Sequence, residues 1–155
     1  MKKLLKALAM LLALVIVVVG GYVAYVFISY HRLPDSLALE PGASGSGLLL
    51  AADGREYSVV SWNLGFGAYS ADFGFFMDGG TESRARSKQA VLDNPGHAFD
   101  RLRTEDADFM LLQELDIGST RSHHVDEAAL AIENLPGYST VFAQNYDSPY
   151  LFYPI

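Results

Sequence analysis

Two side chains in this sequence invite metal chemistry by their type and their place. Asn63 closes the segment Val59-Val60-Ser61-Trp62-Asn63, and Glu114 follows Phe109-Met110-Leu111-Leu112-Gln113. Each run is apolar and strand-like, and each delivers one oxygen-bearing side chain where the run stops. An amide oxygen and a carboxylate at the carboxyl ends of neighbouring strands are the beginning of a magnesium site. Mg²⁺ takes oxygen ligands, keeps several waters, and is usually held by one or two carboxylates together with a substrate phosphate. Such an ion polarises a phosphoryl oxygen and steadies the leaving group. The expectation is a divalent-metal-dependent phosphoesterase site. Glu114 would be its principal metal ligand, and Asn63 would reach the same cation or a phosphate oxygen. Arg121 follows closely. Its guanidinium suits an anionic headgroup, and it suits pairing with Asp116 or Asp126 equally well. Two other chemistries carry less. His123 and His124 are adjacent, and neighbours do not share a helix face, so a zinc site is disfavoured. Glu114 and Asp116 share a strand face and could imitate a glycosidase acid pair, which nothing else in the chain supports.

The elements that must position these residues follow from local patterns. Leu48-Leu49-Leu50-Ala51-Ala52 and the run from Glu56 to Asn63 flank Asp53-Gly54-Arg55, a hairpin signal. Residues 64–82 are rich in glycine and aromatics. They read as a long loop that lies beside a site or caps the core with its aromatic rings. Asn94-Pro95 predicts a helix start, with Asn as N-cap and Pro at the first helical position. That helix would bury Ala98, Phe99 and Leu102 and end near Thr104. Residues 108–112 predict a strand buried on both faces. Ser122 would cap a further helix with Val125, Ala129 and Ile132 on one face, stopped by Leu135-Pro136-Gly137. Tyr138 to Ala143 would form a third core strand. A strand–helix–strand unit from 56 to 114 makes its two strands parallel. Their carboxyl ends then share the edge where open α/β sheets bind ligands. Adjacent strands lie about 4.8 Å apart, so Asn63 and Glu114 could reach one ion.

These two motifs together resemble the start of the endonuclease/exonuclease/phosphatase family, whose fold is deoxyribonuclease-I-like. The first is Val59 to Leu64, a strand ending in Asn; the second is Asp108 to Asp116, a strand ending in Gln-Glu. The resemblance covers roughly 56–145. It implies an α/β fold, here the N-terminal half of a four-layer α/β sandwich. It implies that Asn63 organises the phosphate and that Glu114 binds Mg²⁺ or Mn²⁺. Family members carry later Asp-x-Asn and Ser-Asp-His motifs that supply the base and further metal ligands, and nothing after Glu114 here matches them. The expectation is therefore the N-terminal portion of a longer phosphodiesterase or phosphatase, without a complete active site of its own. The other reading is a non-enzymatic, membrane-tethered domain that keeps the strands and binds a partner.

No charged residue occurs from Ala7 to Tyr30, while Lys2, Lys3 and Lys6 precede that run. A bilayer's hydrocarbon core needs about 20 apolar residues, and a cleavable signal has a core of only about 7–15. The expectation is an uncleaved transmembrane anchor over 1–30. The lysines place its N-terminus in the cytoplasm and the rest of the chain outside. Residues 31–47, ending in Pro41-Gly42-Ala43-Ser44-Gly45-Ser46-Gly47, read as a flexible tether. Residues 48–155 read as the partial globular domain. Four of the 11 basic residues and none of the 18 acidic ones lie in the first 32 positions, so the remainder carries a formal balance of −11. A polyanion is repelled by such a domain at long range. Small phosphoesters or lipid headgroups are favoured as substrates over nucleic acid. The chain has no cysteine, so the outer domain must hold itself by its core.

Overall fold

The computed structural model describes residues 1–42 and 52–147. The chain divides into two compact units, each described by itself: Met1–Ala38 with the segment that begins at Gln144, and Leu39–Ala143. In the first unit, α1 (Lys2–Ser29) is a 28-residue helix with no buried residue. At about 1.5 Å per residue it extends roughly 42 Å. It is long and apolar enough to cross a membrane. Tyr30 leaves the helix in an extended conformation. His31 then forms an isolated antiparallel bridge with Asp147.

The second unit is a small parallel sheet with helices on one face. β1 (Val59–Asn63) and β2 (Phe109–Gln113) pair in parallel, from Val59 opposite Phe109 to Asn63 opposite Gln113. Asp108 fixes this register from the amino end. Its Oδ2 accepts from the backbone N–H and the hydroxyl of Ser58, both at 2.9 Å, and its Oδ1 accepts from Arg55 at 2.7 Å. Asp53-Gly54 does form a turn, with Gly54 at φ 78°. The strand expected over 48–52 lies almost wholly outside the described residues, as does the end of the tether, 43–47. Gly42, at the tether's described end, exchanges two backbone hydrogen bonds with Thr140 at 2.7 and 3.1 Å.

In sequence between the strands runs α2 (Lys88–Glu105), which begins seven residues before the expected first helical position, Pro95. Ser87 is the cap, its hydroxyl accepting from the Ala90 N–H at 3.1 Å. Pro95 therefore sits inside the helix, where it removes one backbone donor. Val91, Pro95, Ala98, Phe99 and Leu102 are all buried, Val91 in the cluster around Phe66 and the last three in the cluster under the sheet. This i, i+4, i+7, i+8, i+11 stripe extends the apolar face back past the proline, and its burial offsets the lost hydrogen bond. The helix closes at Glu105 with Asp106 in the left-handed region, φ 45° and ψ 42°.

Three further expectations need correction. β2 is not buried on both faces. Val60, Met110 and Leu112 pack on Ala98, Phe99, Leu102, Ala131 and Leu135, while Phe109 and Leu111 stand 47% and 55% exposed on the other face. The last helix is α3 (Glu127–Asn134), capped by Asp126, which accepts from the Ala129 N–H at 2.9 Å. Ser122 is instead fully buried in the preceding turn, donating to the Ser119 carbonyl. Ile132 points outward at 42% exposure, and Glu127 and Ala131 face inward. Residues 138–143 form no strand. Their only pairing among the described residues is the Thr140–Gly42 bridge, and Val141 and Phe142 are exposed. The loop over 64–82 contains single 3₁₀ turns at Gly65–Gly67 and Phe76–Asp78. Its rings close a second cluster, with Phe66, Ala68, Ala85, Val91 and Val125 buried and Phe73 and Phe75 against them.

Candidate functional site

Asn63 is the last residue of β1 and Glu114 the first beyond β2, so the parallel register sets them side by side. The Asn63 amide nitrogen donates to Glu114 Oε1 at 2.9 Å. The Asn63 amide oxygen accepts from the Gly65 N–H at 2.8 Å. The backbone continues the pairing past the strand ends, with Leu64 N–H donating to the Gln113 carbonyl at 2.9 Å and Phe66 N–H to the Glu114 carbonyl at 2.8 Å. Two loops that begin at the two candidate residues are thereby joined. Both bend through the left-handed region: Phe66 at φ 45°, Glu114 at φ 56°, His123 at φ 53° and His124 at φ 58°. Non-glycine residues held there store strain, which persists where the surroundings over-determine it and clusters at functional sites.

Arg121 joins the pair from the same loop as Glu114. Its Nε and Nη2 donate to the two oxygens of Asp116 at 2.8 and 2.9 Å. Its guanidinium lies over the Phe66 ring, 4.2 Å from the centroid, and its Nη1 is 3.8 Å from Glu114 Oε2. Of the two acids the sequence offered, Asp116 is the partner; Asp126 caps α3 instead. The fork that suits a phosphate is thus occupied by Asp116, and only the Nη1 edge faces Glu114.

The chemistry of this rim can be read from its donors and acceptors. Glu114 is 39% exposed at its side chain. One of its oxygens takes the Asn63 amide, and the other stands beyond hydrogen-bond range of the nearest cation. A carboxylate so placed keeps an open direction for a divalent ion, so Glu114 fits a ligand role. Asn63 turns its oxygen to Gly65 and its nitrogen to Glu114. It orients the carboxylate, and offering its own oxygen to an ion would require it to leave both contacts. Among the described residues no group of three His, Asp or Glu side chains could hold a metal. His123 and His124 bond separately, to the Ala85 and Gly118 carbonyls, both at 2.7 Å.

One residue at this site carries no sequence signal for it. Glu127, at the first position of α3, is 2% exposed. Its Oε2 accepts from the Asp116 N–H at 2.9 Å, and its Oε1 has no partner. Burial pushes its carboxyl up to about 7, against the pull of the Asp116 N–H. Beside Asn63 there is also an open cleft of ≈ 440 Å³, lined by Trp62, Tyr69, Asn94, Pro95 and His97 among others. No family model, no curated protein and no solved structure matches this chain.

Proposed function

We propose that the Asn63–Glu114 rim holds a divalent cation, Mg²⁺ or Mn²⁺, and that it serves a membrane-anchored phosphoesterase. The observation that carries this reading is the 2.9 Å contact between the two side chains at the carboxyl ends of adjacent parallel strands. That edge is where open α/β sheets take their ligands. When bound, the cation supplies polarisation of a phosphoryl oxygen. Glu114 ligates it, Asn63 holds the Glu114 carboxylate in register, and Arg121 adds positive charge on the Glu114 side. The resemblance to the endonuclease/exonuclease/phosphatase family supports the same assignment.

A four-layer sandwich fits the exposed face of the sheet. Val59, Phe109 and Leu111 are the kind of surface a second sheet covers, about 10 Å away. The helix α1, with Lys2, Lys3 and Lys6 at its start, supports a single pass with the N-terminus in the cytoplasm and the domain outside. The acidic balance of the domain favours small or lipid phosphoesters over nucleic acid. These residues supply a cation ligand and no evident general base, so the direct test is ion binding. Electron paramagnetic resonance of free Mn²⁺ should show saturable uptake by the protein in detergent, displaced by excess Mg²⁺. Glu114→Gln should abolish that uptake while leaving the fold intact. Equal uptake by both proteins removes Glu114 from the metal role and favours the non-enzymatic, partner-binding reading.

A further inference from the structure

Glu127 is the buried group that the reading above does not use. Its position is unusual on three counts. First, it exchanges two hydrogen bonds with the backbone of one residue: its own N–H donates to the Asp116 carbonyl at 2.9 Å, and its Oε2 accepts from the Asp116 N–H at 2.9 Å. Asp116 is the residue that grips Arg121. Second, its Oε1, without a hydrogen-bond partner, lies beside Gly67 in the other loop. A Cβ placed on Gly67 would fall 2.9 Å from that oxygen and 2.8 Å from Val91 Cγ1. Third, it is sealed, at 2% exposure, so neither oxygen is compensated by bulk water. One carboxyl therefore lies between both loops, bonded to the one that starts at Glu114 and beside Gly67 of the one that starts at Asn63.

A buried polar atom without a partner costs free energy, and a shorter apolar side chain would avoid that cost. The fold retains the carboxyl where it fixes the distance between two left-handed turns, and through them the Asn63–Glu114–Arg121 constellation. We propose that Glu127 is a positioning residue: a buried wedge that sets the Asn63–Glu114 contact and the Arg121–Asp116 grip without touching the bound ion. The cation arm of this proposal rests on the reading in the preceding section; the geometric arm does not. The charges that act on Glu127 are those of Asp116, Arg121 and Glu114. Its carboxyl changes charge close to neutrality, so the constellation should respond to pH through this group.

The test uses the full chain in detergent micelles, with ¹H–¹⁵N spectra that report the Asn63 side-chain amide and the Arg121 Nε–H. Without metal, Glu127→Ala should displace both signals, and Glu127→Gln, of the same shape, should restore them. With Mn²⁺, Glu127→Ala should weaken uptake by about 10–100-fold, as loss of a supporting residue does, and Glu127→Gln should bind as the wild type does. A merely structural role predicts a lower Tm with both signals unmoved in the folded protein, and that result overturns the proposal. A wild type that takes up no Mn²⁺ sinks the metal reading, and the metal-free spectra still decide the role of Glu127. Should Glu127→Ala fail to fold, the pH series decides. The wild-type Arg121 Nε–H signal should shift with a midpoint near 7, and the Glu127→Gln signal should stay flat. A wild-type signal without that inflection contradicts the proposal.

Discussion

At the residue scale, three side chains divide the work at the rim of the sheet. Glu114 offers an oxygen, Asn63 aims it, and Arg121 is held near by Asp116 and by the Phe66 ring. Glu127 lies beneath them and supplies the clearest pH signature. Its carboxyl has an ordinary value of 4.5 and is raised to about 7, chiefly by burial. The folded state thus keeps a proton that the unfolded chain releases. Stability from this group is full below the unfolded value and is lost as pH rises through the folded one. Urea denaturation between about pH 5 and pH 8 should show wild-type stability falling with pH, and Glu127→Gln should fall less. Parallel curves for the two proteins would refute the assignment. Asn63 and Glu114 were legible in the sequence because a strand end is a short-range pattern. Glu127 was not. An acid at the first helical position reads as a complement to the helix dipole, and only the tertiary fold turns it inward beneath Asp116 and Gly67.

At the element scale, the strand–helix–strand unit was legible and its edges were not. Asn94-Pro95 has the local chemistry of a helix start, yet Ser87 caps the helix and the apolar stripe runs from Val91 through Pro95 to Leu102. A cap signal spans about one turn, whereas the stripe spans the helix, and packing decides between them. Likewise Phe109 to Leu112 is continuously apolar, but only Met110 and Leu112 pack on the helices, while Phe109 meets the Tyr57 ring edge-on. Composition cannot tell a strand covered on both faces from one covered on a single face. Two substitutions test the observed ends of α2. Ser87→Ala should destabilise the protein by about 1 kcal/mol through the lost cap. Asp106→Gly should stabilise it by about 1 kcal/mol, since glycine adopts the left-handed cap without the Cβ penalty. Both are read from chemical denaturation midpoints. A stabilising Ser87→Ala would return the helix start to Asn94.

At the scale of the whole molecule, a helix with no buried residue is joined to an acidic unit with a small core. Twenty-eight mostly apolar residues left in water would be a large aggregation liability. The chain should therefore stay with the membrane fraction through alkaline carbonate extraction, and a chain beginning at His31 should not. Release of the intact chain by carbonate would reduce α1 to a peripheral or cleaved segment. The face of the sheet that carries Phe109 and Leu111 is likewise apolar and exposed among the described residues.

The proposed divalent ion at the rim of Asn63 and Glu114 is open to direct observation. Diffraction from crystals grown with Mn²⁺, with data collected for its anomalous signal, is the most direct test. A peak is expected about 2.1–2.2 Å from a Glu114 carboxylate oxygen, with the remaining positions filled largely by water. Saturating Mn²⁺ with no peak at Glu114, and the Asn63–Glu114 hydrogen bond unchanged, would contradict the proposal.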